Sequence, residues 1–468
     1  MTEEQQQYIR MTETPVPKLI ASLAAPAVFS MLITSVYNMT DTYFVSKLGN
    51  SAAAAVGVVF ALMSLIQSIG FTVGMGASTY ISRFLGRQEP EKAEEYASSA
   101  IACAALLGTL MMIFGLIFIT PLMRALGSTE TALPYARDYA RYILIGSPVM
   151  CLVFVFNNIL RAEGLANLSM IGVISGGIFN MILDPILIFV FDMGITGAAV
   201  ATLVSQVLSL VVLAFIFFSG KSIIKVSVRR VSRDIRIYWN IITNGFPTLC
   251  RQGLATVATA LLSLTAKVYG DAAIAAMTIA MKIYMLVRSL VVGIGQGFQP
   301  MAGYNYGAGR YSRVKKGFWF TVGTGTVICV AAAVFLFFFG EFTISLFRED
   351  DQTVIKAGAD TLKYFCYVMP MLAYSTIVNQ LLQSLGRSRS AAFLASCRQG
   401  VFYIPIILVF SGAFGLTGIE ISQSAADLLT FIASVPFQIH FFVSASGIGR
   451  KEALPDRKTD SAAESVKI

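Results

Sequence analysis

Long apolar runs separated by short polar breaks dominate the chain, and each run is about as long as a helix needs to cross a bilayer roughly 30 Å thick. Twelve such runs are legible, at approximately 19–45, 52–82, 93–120, 135–160, 168–190, 195–219, 240–266, 273–303, 317–346, 361–385, 391–413 and 417–445. The pattern predicts an all-α polytopic membrane protein with twelve transmembrane helices. The first 17 residues are polar and include Glu3, Glu4, Gln5 to Gln7 and Pro15. They lack the basic start and short apolar core of a cleavable signal peptide, so the first span is expected to serve as its own insertion signal.

Composition agrees with the pattern and narrows the surroundings. With 56% hydrophobic and 13% charged residues and a mean hydropathy of +0.71, the chain is too apolar for a water-soluble domain. Its principal partner is therefore the lipid bilayer, and a multi-pass protein of the plasma membrane is expected. All six cysteines fall inside expected spans without CxxC spacing, which argues against a disulfide framework and a thiolate metal site. The formal charge of +9 is unevenly placed. Lys47, Arg124, Arg137, Arg141, Lys267, Arg348, Lys356 and Lys363 lie in odd-numbered loops, and most other Lys and Arg lie at the amino end, in even-numbered loops or in the carboxyl tail. That bias puts both termini and the basic linker on the cytoplasmic side, and it makes the charge a topology signal rather than a nucleic-acid site.

A repeat near 221 residues organises the chain. Pro26, Gly49, Gly74, Gly76, Gly86, Gly194, Thr196 and Gly197 recur as Pro247, Gly270, Gly295, Gly297, Gly307, Gly415, Thr417 and Gly418. Asn157 and Gly164 recur one residue later, as Asn379 and Gly386. The expected division is a cytoplasmic amino-terminal segment (1–18), an N-lobe (19–219), a basic linker (220–239), a C-lobe (240–445) and a cytoplasmic tail (446–468). Six spans per repeat make the two lobes parallel, related by an axis along the membrane normal, with a cleft between them.

Each residue then has a control in the other half. Asp41 and Asp184 are carboxylates set inside apolar runs, where a charge costs roughly 2.5 to 3.5 kcal/mol, so such a residue usually serves a site. Their counterparts are Leu262 and Pro405 or Ile406. The C-lobe instead carries Arg251, Lys282, Arg288 and Arg398. Asn180 lies four residues before Asp184 and shares its helical face, and Tyr37, Asn38, Tyr139, Asn157 and Thr202 occupy neighbouring spans. Carboxylate, amide and hydroxyl oxygens suit a proton or Na⁺ and not zinc, so Asp41, Asn180, Asp184 and Thr202 form a candidate Na⁺ site. Pro26 and Pro185 each remove a backbone hydrogen bond and permit a helix kink. Tyr37, Asn38, Arg251, Gln252, Lys282, Met285 and Asn379 are candidates for a substrate cleft.

Several segments together resemble the multidrug and toxic compound extrusion (MATE) transporters, in particular the MepA-like and DinF-like prokaryotic branch. They are PAVFSMLITSVYNMTDTYFVSKLG, GASTYISRFLG, LRAEG, NMILDPILIF and GITGAAVAT, and the likeness covers roughly residues 15 to 445. The resemblance implies a non-enzymatic antiporter without a cofactor, in which Na⁺ or H⁺ enters while an organic, usually cationic amphiphilic, compound leaves. It assigns ion coupling to Asp41 and Asp184 with Asn180 and Thr202, and by a looser match to Tyr139 and Asn157. A monomer is expected. A flippase for lipid-linked sugars or peptidoglycan precursors shares the two-lobed design but calls for a strongly basic cleft in both lobes. An intramembrane aspartyl protease would need GxGD around an acid, which neither has.

Overall fold

The computed structural model describes residues 2–48, 50–347 and 351–452. Gly49, Arg348 and the tail beyond 452 lie outside the described residues. The first six spans are Val16–Ser46, Asn50–Gly86, Pro90–Ile117, the pair Leu133–Ile145 and Ser147–Ala162, Ala166–Pro185, and Gly194–Ile216. The next four are Ile235–Ala266, Asp271–Gly307, Tyr311–Ser345 and Gln352–Ser384. The eleventh begins as Ser388–Ser396, passes through a π-turn at Cys397–Val401 and continues into Tyr403–Glu452. Gly415, at φ 62° and ψ −137°, breaks that last helix into the end of the eleventh span and the twelfth. This backbone region is open to glycine at little cost, and Gly194 holds a positive φ at the matching turn in the first half.

Twelve spans therefore stand where the hydropathy pattern put them, and their irregularities are local. The fourth is two helices bent by 49° at Gly146. Pro26 sits inside a continuous helix. Pro185, which cannot donate a backbone hydrogen bond, is followed at once by a π-turn at Ile186–Val190.

Packing divides the spans into two lobes. In the first half, span 1 packs on 5, 5 on 6, 2 on 3 and 4, and 3 on 4. In the second, 7 packs on 11, 8 on 9 and 10, 9 on 10, and 10 on 12. Span 1 crosses the divide to span 8, span 2 to span 7, and span 2 to span 8. Exchanging 1 with 7 and 2 with 8 leaves this set of contacts unchanged, as a twofold axis between the lobes requires.

The repeated glycines close this seam. A Cβ on Gly76 would strike the carbonyl of Ile241 on span 7, and one on Gly297 would strike the backbone of Ala24 on span 1, the same contact seen from either lobe. Nearer the span ends, Gly86 abuts Tyr304 and Gly307 abuts Arg83. Only a residue without a side chain lets two helix backbones meet so closely.

At the same end of the molecule, two connecting segments tie the lobes together. The amino-terminal segment forms a helix, Glu3–Glu13, started by a capping box between Thr2 and Gln5. Gln7 donates to the carbonyl of Glu163 in the N-lobe at 2.7 Å. On the C-lobe side Asn305 donates to the Met11 carbonyl at 3.0 Å, Arg310 to the Thr12 carbonyl at 2.7 Å and Arg313 to the Thr14 carbonyl at 2.6 Å. The helix thus straps the two lobes across the seam. The linker is held by buried acids: Glu163 accepts from the Ser222 hydroxyl and the Ile223 N–H, while Glu94 accepts from the Lys225 N–H and pairs with Arg230. Burial pushes the Glu163 carboxyl up to about 8, against the linker donors that favour its ionised form.

Candidate functional site

Spans 1, 4, 5 and 6 bring Asp41, Tyr139, Asp184 and Thr202 into one polar cluster inside the N-lobe. Close approach of span 6 to span 5 makes this possible. Gly172 faces Leu213, Gly176 faces Ser205 and Ser209, and Ser209 donates to the Gly172 carbonyl at 2.8 Å. Asp184 is completely buried, and one of its oxygens accepts from the Asn180 amide at 3.3 Å. Asp41 lies within electrostatic reach of Tyr37, Tyr139 and Asp184, and Tyr139 within reach of Thr202. Yet Asp41 Oδ1, Asp184 Oδ2, the Tyr139 hydroxyl and the Ser205 hydroxyl are buried without a hydrogen-bond partner among the described residues.

Orphaned buried oxygens cost roughly 1 to 3 kcal/mol each, more when charged. Two such carboxylates close to a tyrosine and two neutral oxygen donors fit a proton or a small hard cation. Among the described residues no group of three or more His, Cys, Asp or Glu gathers as a transition-metal site would. The side chain of Asn38 lies outside the described ones.

Between the lobes lies a cavity of about 320 Å³. Its N-lobe wall includes Thr34, Tyr37, Phe71, Phe154, Asn157, Asn180 and Thr202, and its C-lobe wall includes Arg251, Gln252, Met285 and Arg288. Asp41, Tyr139 and Asp184 do not line it. Tyr37, Asn180 and Thr202 thus belong to both the acid cluster and the cavity wall. Arg161 forms the floor, donating across the seam to Gln296 and to Asn158 within its own lobe.

Two expected cleft residues fall elsewhere. Lys282 is exposed and does not line the cavity; it shares a helical face with Met285 and Ser289, which do, but stands a turn nearer the start of span 8. Asn379 also lies outside it. Its amide donates to the Ala391 carbonyl at 2.7 Å, as Asn157 donates to the Ser169 carbonyl at 3.2 Å. Each asparagine therefore ties its span to the next one, a structural bond repeated in both halves. Asn157 reaches the cavity as well.

A second polar cluster, unseen in the sequence pattern, sits in the C-lobe. Arg398 Nε donates to Asp427 Oδ1 at 2.6 Å, Gln423 donates to the same oxygen at 3.1 Å, and Tyr284 donates to the other. Arg398 also reaches the Tyr284 hydroxyl at 3.2 Å. The π-turn Cys397–Val401 carries Arg398 into this position, opposite an acid on span 12. Asp427 and Gln423 stand four residues apart on one helical face, a spacing visible in the sequence, but nothing there pairs them with a residue on span 11.

Two parallel six-span lobes around a central cavity, with uncompensated acids buried in one of them, are the architecture of a membrane transporter built from repeats. A sequence profile of the MatE family matches residues 26–186 and 247–409, one block in each lobe, and the chain belongs to that family. It is similar to the multidrug export protein MepA of Staphylococcus aureus (strain MRSA252), with 27% identity over 438 residues that cover 93% of this chain and 96% of that protein. Its fold matches a MATE crystal structure in complex with MaL6 at a TM-score of 0.90 and 24% identity, covering 96% of this chain and 100% of that one. A MOP superfamily transporter from Pyrococcus furiosus, described as having a binding pocket of reverse polarity, matches at 0.89 and 25% identity, over 95% of this chain and 99% of that one.

Proposed function

We propose that the protein is a secondary active efflux antiporter that exports amphiphilic organic compounds in exchange for H⁺ or Na⁺ by alternating access, acting as a single chain. The observation that carries this reading is the pair Asp41 and Asp184, buried in one lobe with one orphaned oxygen each and coupled to the cavity through Tyr37, Asn180 and Thr202. The name of the MepA relatives, multidrug export protein, supports the direction of transport.

In this reading the strapped and glycine-packed end is cytoplasmic, as the distribution of Lys and Arg requires, so the described conformation is closed to the cytoplasm. An ion arriving at Asp41 and Asp184 removes the repulsion between two carboxylates. Span 1 can then close on span 5. Pro26 leaves span 1 without one backbone hydrogen bond, which lowers the cost of bending it below Met31, Thr34 and Tyr37. These three side chains line the cavity, so bending expels its occupant. Rocking of the lobes then opens the seam between spans 2 and 7 and spans 1 and 8.

Purified protein in proteoliposomes should export a fluorescent amphiphile under either an inward Na⁺ gradient or an inward proton gradient. Transport at equal rates with both gradients collapsed would rule the antiport reading out.

A further inference from the structure

The cavity wall has a charge of its own that the acid cluster does not balance. Arg161, Arg251 and Arg288 line it, and no Asp or Glu does among the described residues. Arg161 is already engaged by Gln296 and Asn158. Arg398 stands behind the C-lobe wall and is paired with Asp427. Arg251 and Arg288 are different. Each feels the positive charge of Arg398, Arg288 also feels that of Arg251 and, more weakly, the opposing charge of Asp427, and neither forms an ion pair or hydrogen bond among the described residues.

Guanidinium groups held at a low-dielectric wall without a counter-ion paired to them favour an anion beside them, and their planar forks suit a carboxylate or a related oxyanion. The rest of the lining is aromatic or neutral: Phe71, Phe154 and Tyr37 offer ring faces, and Asn180, Thr202 and Gln252 offer uncharged polar groups. A compound whose only charge is positive would meet two repelling arginines and no carboxylate in direct contact.

We propose that Arg251 and Arg288 form a subsite for the anionic group of an aromatic amphiphile. The favoured cargo is then a zwitterion or an anion rather than the simple lipophilic cation expected of the family. This rests on the reading of the cavity as the transport site, and names the class of compound the cavity takes. An anionic lipid headgroup offers the same chemistry. A cavity of about 320 Å³ with aromatic walls favours the compact aromatic compound.

Rhodamine 110 and rhodamine 123 make a matched pair of probes, because the second is the methyl ester of the first and differs only in lacking the free carboxylate. Fluorescence anisotropy with detergent-purified protein would measure binding without requiring transport. The expected result is at least about tenfold tighter binding of the acid than of the ester, a difference of about 1.4 kcal/mol. In Arg251→Gln and Arg288→Gln, acid and ester should bind within about twofold of each other, the acid more weakly and the ester more tightly than to the unaltered protein because a repelling charge is gone, while Arg288→Lys keeps part of the preference. Equal binding of acid and ester by the unaltered protein would overturn the subsite, as would a preference that survives both glutamine variants. Displacement of rhodamine 110 by phosphatidylglycerol at comparable affinity would give the site to a lipid and overturn the choice of cargo. Selective binding without gradient-driven export would instead overturn the antiport reading and leave the subsite standing.

Discussion

The two lobes share a backbone plan and differ in how each treats a buried acid. In the C-lobe, Asp427 is met by Arg398 at 2.6 Å, by Gln423 and by Tyr284, so its charge is compensated where it sits. In the N-lobe, among the described residues, Asp184 has one weak amide donor, Asp41 Oδ1 has none, and no cation pairs with either. The positions themselves explain this: Arg398 replaces Gly176 or Gly177 of the first half, and those glycines are what allow span 5 to approach spans 1 and 6. One lobe spends its acid on stability. The other leaves its acids without a paired partner, as the proposed exchange of an ion at this site needs.

The largest expected effect is functional and confined to the N-lobe. Asp41→Asn or Asp184→Asn should reduce gradient-driven export by at least about a hundredfold, to the level of empty liposomes. Thermal unfolding should stay within about 1 kcal/mol of the unaltered protein, because an uncompensated buried charge is removed. A variant that unfolds readily would return these acids to an ordinary structural role.

The reverse is expected in the C-lobe. Asp427→Asn strands Arg398 and should cost about 3 to 5 kcal/mol of stability, whereas replacing Arg398 and Asp427 together by Met and Leu should recover most of it. Thermal unfolding of the three proteins checks the order, and a double variant no more stable than the single one would contradict a simple ion pair.

A smaller effect follows from the seam. Gly297→Val or Gly76→Val places a side chain against backbone, and it should favour the conformation in which the strapped end is open. A cysteine introduced at Thr79, which touches the Gln383 carbonyl across the seam, should react on the order of tenfold faster with an impermeant maleimide added from that side, a shift of about 1.4 kcal/mol. Unaltered labelling would mean that the seam does not gate access.

The smallest expected change concerns Glu163. Its proton is held up to about 8 in the folded protein and leaves at about 4.5 in an ordinary carboxyl. Protonation therefore favours the buried setting that the docked linker gives Glu163, burial outweighing the linker donors that favour the ionised form. The contribution of Glu163 is complete below about 4.5 and is lost as pH rises through about 8. Hydrogen exchange of residues 222–226 should quicken over that window, and Glu163→Gln should flatten the response.

Much of this was legible in the sequence because it is written in period and repetition. Hydropathy located all twelve spans, since lipid admits only helices of a fixed length here. The repeated glycines marked the duplication, and the structure puts four of them, Gly76, Gly86, Gly297 and Gly307, at the seam. Asp41, Asp184, Asn180 and Thr202 stood out because polarity is costly in an apolar run. What escaped needed three dimensions. The partnership of Arg398 with Asp427 joins spans 11 and 12 through a π-turn that no local pattern announces. Lys282 shares a helical face with Met285 and Ser289, so only its position along span 8, a turn before the cavity lining begins, sets it apart. The strap at Glu3–Glu13 did leave a trace, the Thr2 and Gln5 spacing of a capping box, in a segment that read only as polar.

Ion release on cargo binding is the most direct test of the contrast between the lobes. Rhodamine 110 would be added to detergent-purified protein in weakly buffered solution, with a pH dye following protons and ²²Na⁺ scintillation proximity following sodium. The account predicts that cargo expels one of these ions from the unaltered protein and from the Met and Leu double variant at Arg398 and Asp427, and that nothing is expelled from Asp41→Asn or Asp184→Asn. Undiminished release from the N-lobe variants, or its loss from the C-lobe double variant alone, would contradict it.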